Sequence, residues 1–99
     1  MTSWEPLTDL LKALNSETRQ RILLELFRDG KERTVNQVAE DMKLGQSTAS
    51  EHLSQMKRAG ILTSRRVGKE VYYRPDREKL LWQLRGLVQL VEECCPPFS

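Results

Sequence analysis

Between residues 46 and 58 the chain sets Gln46, Ser47, Thr48, Ser50, Glu51 and Gln55 ahead of Lys57 and Arg58. Side chains of this kind hydrogen-bond to base edges and cations neutralise phosphate, so the run suits a nucleic acid. Arg65, Arg66 and Lys69 repeat the cationic half of that chemistry a few residues on. A second chemistry sits at Cys94 and Cys95, the only cysteines, whose thiolates are soft ligands and targets of oxidation. His52 is the only histidine, and one imidazole makes neither a metal site nor a catalytic pair. There is no phosphate-cradling glycine loop and no nucleophile with a paired base, so an enzyme is not expected.

The elements that must position these residues can be read from periodicity. Trp4, Leu7, Leu10, Leu11 and Leu14 recur at helical spacing, and Asn15-Ser16 supplies a break and an N-cap. A second helix runs through Ile22, Leu23, Leu26 and Phe27 and is expected to stop at Asp29-Gly30. Thr34 and Gln37 have the spacing of a capping box, and Val35, Val38, Ala39 and Met42 give a third helix its inner face. Leu44-Gly45 is expected to close it. The fourth helix runs from Gln46 to about Ala59, with Ala49, Leu53 and Met56 inward and Gly60 as terminator.

Ile61-Leu62-Thr63 and Val71-Tyr72-Tyr73 are strand-forming runs around the turn Val67-Gly68-Lys69-Glu70, which predicts a hairpin. Pro75 cannot continue a central strand, and Asp76 is a fitting N-cap for a last helix reaching about Glu93. The predicted order is α-α-α-α-β-β-α, a mainly α (α+β) fold of winged helix-turn-helix type, in one domain over residues 1–99. In such a pair the second helix enters the major groove, so its outward face must be polar. The Arg65, Arg66 and Lys69 hairpin would be a wing on phosphate, which supplies affinity but little sequence information. An isolated Arg-Arg pair is ordinarily a solvated surface; its place beside this helix pair is what favours phosphate.

The charge is distributed to match. Residues 46–74 hold six bases (Lys57, Arg58, Arg65, Arg66, Lys69, Arg74) against Glu51 and Glu70, whereas the whole chain has a formal net charge of only +2. The 38% hydrophobic and 30% charged composition is that of a folded, water-borne chain. No apolar run approaches the ~20 residues that span a bilayer, and the first residues lack a signal-peptide pattern, so no membrane association and a cytoplasmic location are expected.

Leu44-Gly45-Gln46-Ser47-Thr48-Ala49-Ser50-Glu51-His52-Leu53, then Lys57-Arg58-Ala59-Gly60-Ile61-Leu62 and Gly68-Lys69-Glu70-Val71-Tyr72-Tyr73, resemble the ArsR/SmtB family of bacterial repressors. Leu14-Asn15-Ser16-Glu17-Thr18-Arg19-Gln20-Arg21-Ile22-Leu23 is similar to the opening of that family's second helix. The resemblance implies a homodimer that binds an inverted-repeat operator in double-stranded DNA and releases it when an inducer, often a metal or metalloid, binds. Gly45 stands where relatives often have a serine cap, and His52 where they usually have histidine. His52 reads first as a helix-packing or phosphate-contacting residue.

The last helix carries Leu80, Leu84, Leu87 and Val91, with Leu81, Trp82, Val88 and Leu90 around them, which is too much apolar surface for one face. The family's dimer interface, built from first and last helices, would cover the excess, and Trp4 and Trp82 are expected in the core or that interface. The resemblance does not extend to the family's known metal sites, because residues 35–43 hold no cysteine and residues 76–93 no histidine. No cofactor is expected to be required. Cys94 and Cys95 remain, and some arsenic-responsive relatives carry a similar terminal pair. Arsenic(III) commonly takes three sulfurs, so a third would come from the other subunit or a small thiol, whereas methylated arsenic(III) needs two. Two protomers together could offer zinc or cadmium four cysteines. An untuned thiol pair, a redox switch and a purely structural ion site stay open beside these.

Overall fold

The computed structural model describes residues 5–95 and 97; the expectation for Trp4 lies outside them. Helix α1 (Glu5–Ala13) is followed by α2 (Glu17–Leu24), whose N-terminus is held by the Ser16 hydroxyl accepting from the Arg19 N–H at 3.3 Å. The expected helix to Asp29 is divided. The α-helix ends at Leu24 and a 3-10 turn, Leu26–Asp29, completes the stretch before Gly30 at φ 73°. Tightening the last turn rotates Phe27 fully into the core, 2% exposed, while Leu24 is left outside.

Strand β1 (Arg33–Thr34) was not expected; it is two residues long and leads directly into α3 (Val35–Met42). The capping box is formed as read: Thr34 Oγ1 accepts from Gln37 N–H at 3.2 Å and Gln37 Oε1 accepts from Thr34 N–H at 2.8 Å. The terminator of α3 is Lys43 at φ 57°, not Leu44-Gly45, and Leu44 N–H closes the end on Ala39 C=O at 2.9 Å. A non-glycine residue tolerates that left-handed geometry here because the closing bond satisfies an orphan carbonyl. Helix α4 (Gln46–Arg58) then starts after Gly45 and ends at Gly60, φ 81°. There Ile61 N–H reaches Met56 C=O at 2.9 Å. A Cβ on Gly60 would come within 3.3 Å of the Gln83 and Lys79 side chains, so the corner is also sterically tight.

Strands β2 (Leu62–Val67) and β3 (Glu70–Pro75) pair antiparallel with Val67 opposite Glu70 and Leu62 opposite Pro75. Gly68, at φ 61°, takes the first central position of the two-residue turn, the place a tight hairpin of this twist reserves for glycine. The sheet has three strands, ordered β1-β3-β2, so β3 is central. Pro75 nevertheless ends it without loss, because β1 pairs only with Tyr72 and Tyr73 and leaves that end of β3 two-stranded. Helix α5 (Arg77–Cys94) starts from Asp76, whose carboxylate accepts from Lys79 N–H at 3.3 Å.

Leu10, Ile22, Val38, Leu53, Met56, Ile61 and Leu62 form one core beneath α1–α4 and the root of the hairpin. Helix α5 contributes little to it. Among its described residues only Gln83 is fully buried, its amide donating to Pro6 C=O at 3.0 Å and Ala59 C=O at 2.9 Å. Leu84, Val88, Val91 and Trp82 are exposed, so the stripe Leu80, Leu84, Leu87, Val91 expected from sequence is split. Leu80 and Leu87 turn toward the domain and the other two away.

Candidate nucleic-acid interface

Ala49, Leu53 and Met56 fasten α4 to the core. The opposite side of the helix then carries Ser47, Glu51, Ser54 and Arg58, at spacings of four, three and four. Gln46, Ser47, Thr48 and Glu51 are exposed and Ser50 is half-buried. Gln46, Ser47, Ser50 and Glu51 border one shallow groove with Val35 at the head of α3. Gln55 lies on another flank and, with Arg58 at the end of the stripe, borders a depression against Asp9 and Lys12 of α1. Ser54 was not singled out from sequence, although its helical spacing from Ser47 and Glu51 was a sufficient signal. Gly45 gives α4 no side-chain cap, so the first N–H groups of the helix are left to donate elsewhere, an arrangement suited to phosphate.

His52 turns away from this surface. Its Nδ1 lies 3.1 Å from Arg19 Nη1 on α2. Arg19 also donates from Nε to Ala13 C=O at the end of α1. A guanidinium can only donate, so Nδ1 accepts and the neutral ring keeps its proton on Nε2. Burial, then the Arg19 charge, holds the imidazole below its ordinary pKa. Of the two sequence readings for His52, the packing position is the one the side chain occupies.

The hairpin separates its cations. Arg65 makes a bidentate pair with Glu32 just before β1, at 2.7 and 2.8 Å, and its guanidinium lies 5.7 Å from the Tyr72 ring centroid. The Arg65 guanidinium holds the Glu32 carboxyl below its usual range. Among the described residues Arg66 and Lys69 have no carboxylate partner, nor do Lys57 and Arg58 at the end of α4. Arg66 and Lys69, with Arg74 on β3, which also lacks a carboxylate partner among the described residues, are therefore the hairpin cations ready for an anion, while Arg65 must first leave Glu32. The partner 33 residues away could not be read from local sequence.

Cys94 and Cys95 are free and exposed at the end of α5. The Cys94 thiol points back to Val91 C=O at 3.8 Å. Its neighbour's thiol, then burial, raises the Cys94 pKa, so the Cys94 proton must be displaced for a metal to bind near neutrality. Among the described residues no group of three or more His, Cys, Asp or Glu is placed to hold an ion. No described helix is long and apolar enough to cross a membrane.

Residues 16–64, which run from the Ser16 cap into β2, match the model of the bacterial regulatory protein, arsR family. The arsenic resistance transcriptional regulator ArsR1 of Pseudomonas putida is 37% identical over 91 residues, covering 89% of this chain and 70% of that protein. Among solved structures, an ArsR-like transcriptional regulator from Rhodococcus sp. RHA1 superposes with a TM-score of 0.80 at 27% identity, over 92% of this chain and 84% of its own. The homodimeric winged helix-turn-helix DNA-binding domain Mb0332 from Mycobacterium bovis does so with a TM-score of 0.68 at 27% identity, over 96% of this chain and 88% of its own. The α3–α4 pair and β2–β3 hairpin are thus a helix-turn-helix and its wing, and the chain belongs to the arsR family of bacterial regulatory proteins, a family of regulators and not of enzymes.

Proposed function

We propose that the protein is a homodimeric repressor that binds an inverted-repeat operator in double-stranded DNA, with α4 in the major groove and the wing on phosphate. The observation that carries this reading is the surface of α4. Its outward stripe is polar and its N-terminus has no side-chain cap, and the hairpin that follows carries Arg66, Lys69 and Arg74 with no carboxylate partner among the described residues. Gln46, Ser47, Ser50 and Glu51 reach base edges, with Thr48 on the flank of the helix. Lys57, Arg58, Arg66 and Lys69 neutralise phosphates, Arg65 joins them on leaving Glu32, and His52 holds α4 to α2 through Arg19. Gln55 borders the interface. Two copies would set their α4 helices ~34 Å apart, on successive turns of one DNA face. The exposed apolar surface of α5 and the homodimeric Mycobacterium relative support the dimer. The protein works in the cytoplasm, where its thiols stay reduced.

Release from the operator is assigned to Cys94 and Cys95. The pair is free, exposed and adjacent, and the Pseudomonas relative is described as an arsenic resistance regulator. Methylated arsenic(III) needs only these two sulfurs, while arsenic(III), zinc or cadmium would draw further ligands from the second subunit or a small thiol. Fluorescence anisotropy on the protein's own upstream DNA tests both levels, titrated with arsenite, methylarsenite, cadmium, zinc or peroxide. Binding released by a soft ion in the wild type but not in Cys94→Ser/Cys95→Ser supports the sensor. Release of both proteins alike, or of neither, removes the sensor and leaves the repressor. Release by peroxide alone makes the pair a redox switch.

A further inference from the structure

Helix α4 carries one acid, Glu51, on the very face assigned to DNA. None of the ordinary uses of a helical glutamate accounts for it. Glu51 is the sixth residue of α4, past the first turn in which an acid would offset the helix dipole. Thr48 and Ser54, three residues away, and Ser47 and Gln55, four away, are uncharged, so the helix offers it no ion pair. The ion pairs among the described residues use Glu25, Asp29, Glu32 and Asp41 instead. The side chain is exposed and borders the shallow groove it shares with Gln46, Ser47, Ser50 and Val35. Duplex DNA brings one negative charge per ~1.7 Å of its axis toward that groove. A free carboxylate there opposes binding unless a base meets it with a donor.

We infer that Glu51 reads a cytosine in each half-site, its carboxylate accepting the N4–H that the base turns into the major groove. The inference rests on the docking of α4 proposed above and names the base that one of its residues selects. An ionised carboxylate can only accept, whereas the hydroxyls of Ser47 and Ser50 and the amide of Gln46 both donate and accept. Glu51 is therefore the member of this group whose preference has a sign. Of the bases, cytosine alone shows the major groove a donor with no acceptor of its own. Guanine shows N7 and O6 and thymine shows O4, all of which repel a carboxylate. Adenine sets its N6–H donor beside an N7 acceptor, a pattern suited to the amide of glutamine and not to glutamate. At any site without the cytosine the carboxylate faces acceptors and phosphates, so the same residue that favours one sequence disfavours the rest. Two-fold symmetry repeats the cytosine at the mirrored position of the second half-site, on the opposite strand.

Selection from randomised duplex DNA with wild type and Glu51→Gln tests the assignment, followed by fluorescence anisotropy on the wild-type motif and on the unselected pool. Wild type is expected to enrich a cytosine at one mirrored position of each half-site, and replacing that base pair should weaken binding roughly 10-fold or more per half-site. Glu51→Gln should lose that preference or exchange it for adenine. It should also bind the unselected pool more tightly than wild type, since a charge repelled by phosphate is gone. Chemically altered DNA gives a readout that does not depend on the folding of a variant. N4-methylcytosine puts a methyl group where the free N4 hydrogen stood, and at the mirrored position it should weaken wild type by a similar factor, while 5-methylcytosine, which keeps that hydrogen, should weaken it less. Three results would overturn the inference and leave α4 in the groove: the same motif selected by Glu51→Gln, a Glu51-dependent position at which wild type selects another base, or wild-type tolerance of N4-methylcytosine throughout the motif. A wild type that selects no motif would overturn the docking of α4 and the inference with it.

Discussion

His52 and Arg19 couple the recognition helix to α2 through a bond that exists only while the imidazole is neutral. Folding holds the ring below its ordinary pKa of 6.5, so the native state binds fewer protons than the unfolded one as pH falls through that value. The resulting stability is complete above pH 6.5 and declines below it until the folded-state pKa is passed. We expect the urea midpoint of the wild type to be lower at pH 5.5 than at pH 7.5, and that difference to shrink in His52→Gln. Equal differences in the two proteins would mean that the imidazole is not the titrating group. Gln83 is a second residue with consequences beyond its size. Both hydrogens of its amide are used on carbonyls of α1 and of the end of α4, and its Oε1 is buried without a partner. Gln83→Leu should therefore cost roughly 1–3 kcal/mol in chemical denaturation, since two carbonyls lose their donor. An unchanged midpoint would show that water or the leucine itself compensates.

At the scale of elements, the capping box and the wing make separable claims. Thr34→Ala removes the side-chain half of the α3 cap and should cost about 1 kcal/mol of stability in urea titration, with a larger loss if β1 detaches from β3. On the wing, Arg66→Ala should lower the salt slope of DNA binding by about one unit per protomer. Arg65→Ala should lower it less, because Glu32 already holds that guanidinium. Equal slopes for the two variants would show that DNA strips Arg65 from Glu32 without hindrance. Most of these elements could be read in the sequence because their signals are local: Thr34 with Gln37, Gly60 after α4, Gly68 in its turn, Asp76 before α5. What could not be read depends on distant partners. β1 is two residues held by β3, Arg65 is paired across 33 residues, and His52 faces Arg19 on another helix. The break after Leu24 was hidden because Leu26 and Phe27 continue the helical period into a 3-10 turn. Gln83 was legible in principle, as the one polar residue in the inward series Leu80, Gln83, Leu87, Leu90.

For the whole molecule, the decisive property is a polar helix and a cationic hairpin presented on one rigid body, with a long helix left half-covered on another side. The candidate α4 residues were legible together because they share one short helix. Their division into outward, flanking and buried groups was not, since it depends on which face the core takes. Selection from a pool of randomised duplex DNA tests the central claim most directly, with wild type, Gln46→Ala/Ser47→Ala and Arg66→Ala/Lys69→Ala proteins run in parallel. We expect the wild type to enrich an inverted repeat with half-sites about one helical turn apart. The α4 variant should change base preference within each half-site, and the wing variant should weaken every sequence alike. A pool with no enriched motif, or wild-type selection by both variants, would contradict the assignment of this surface to DNA.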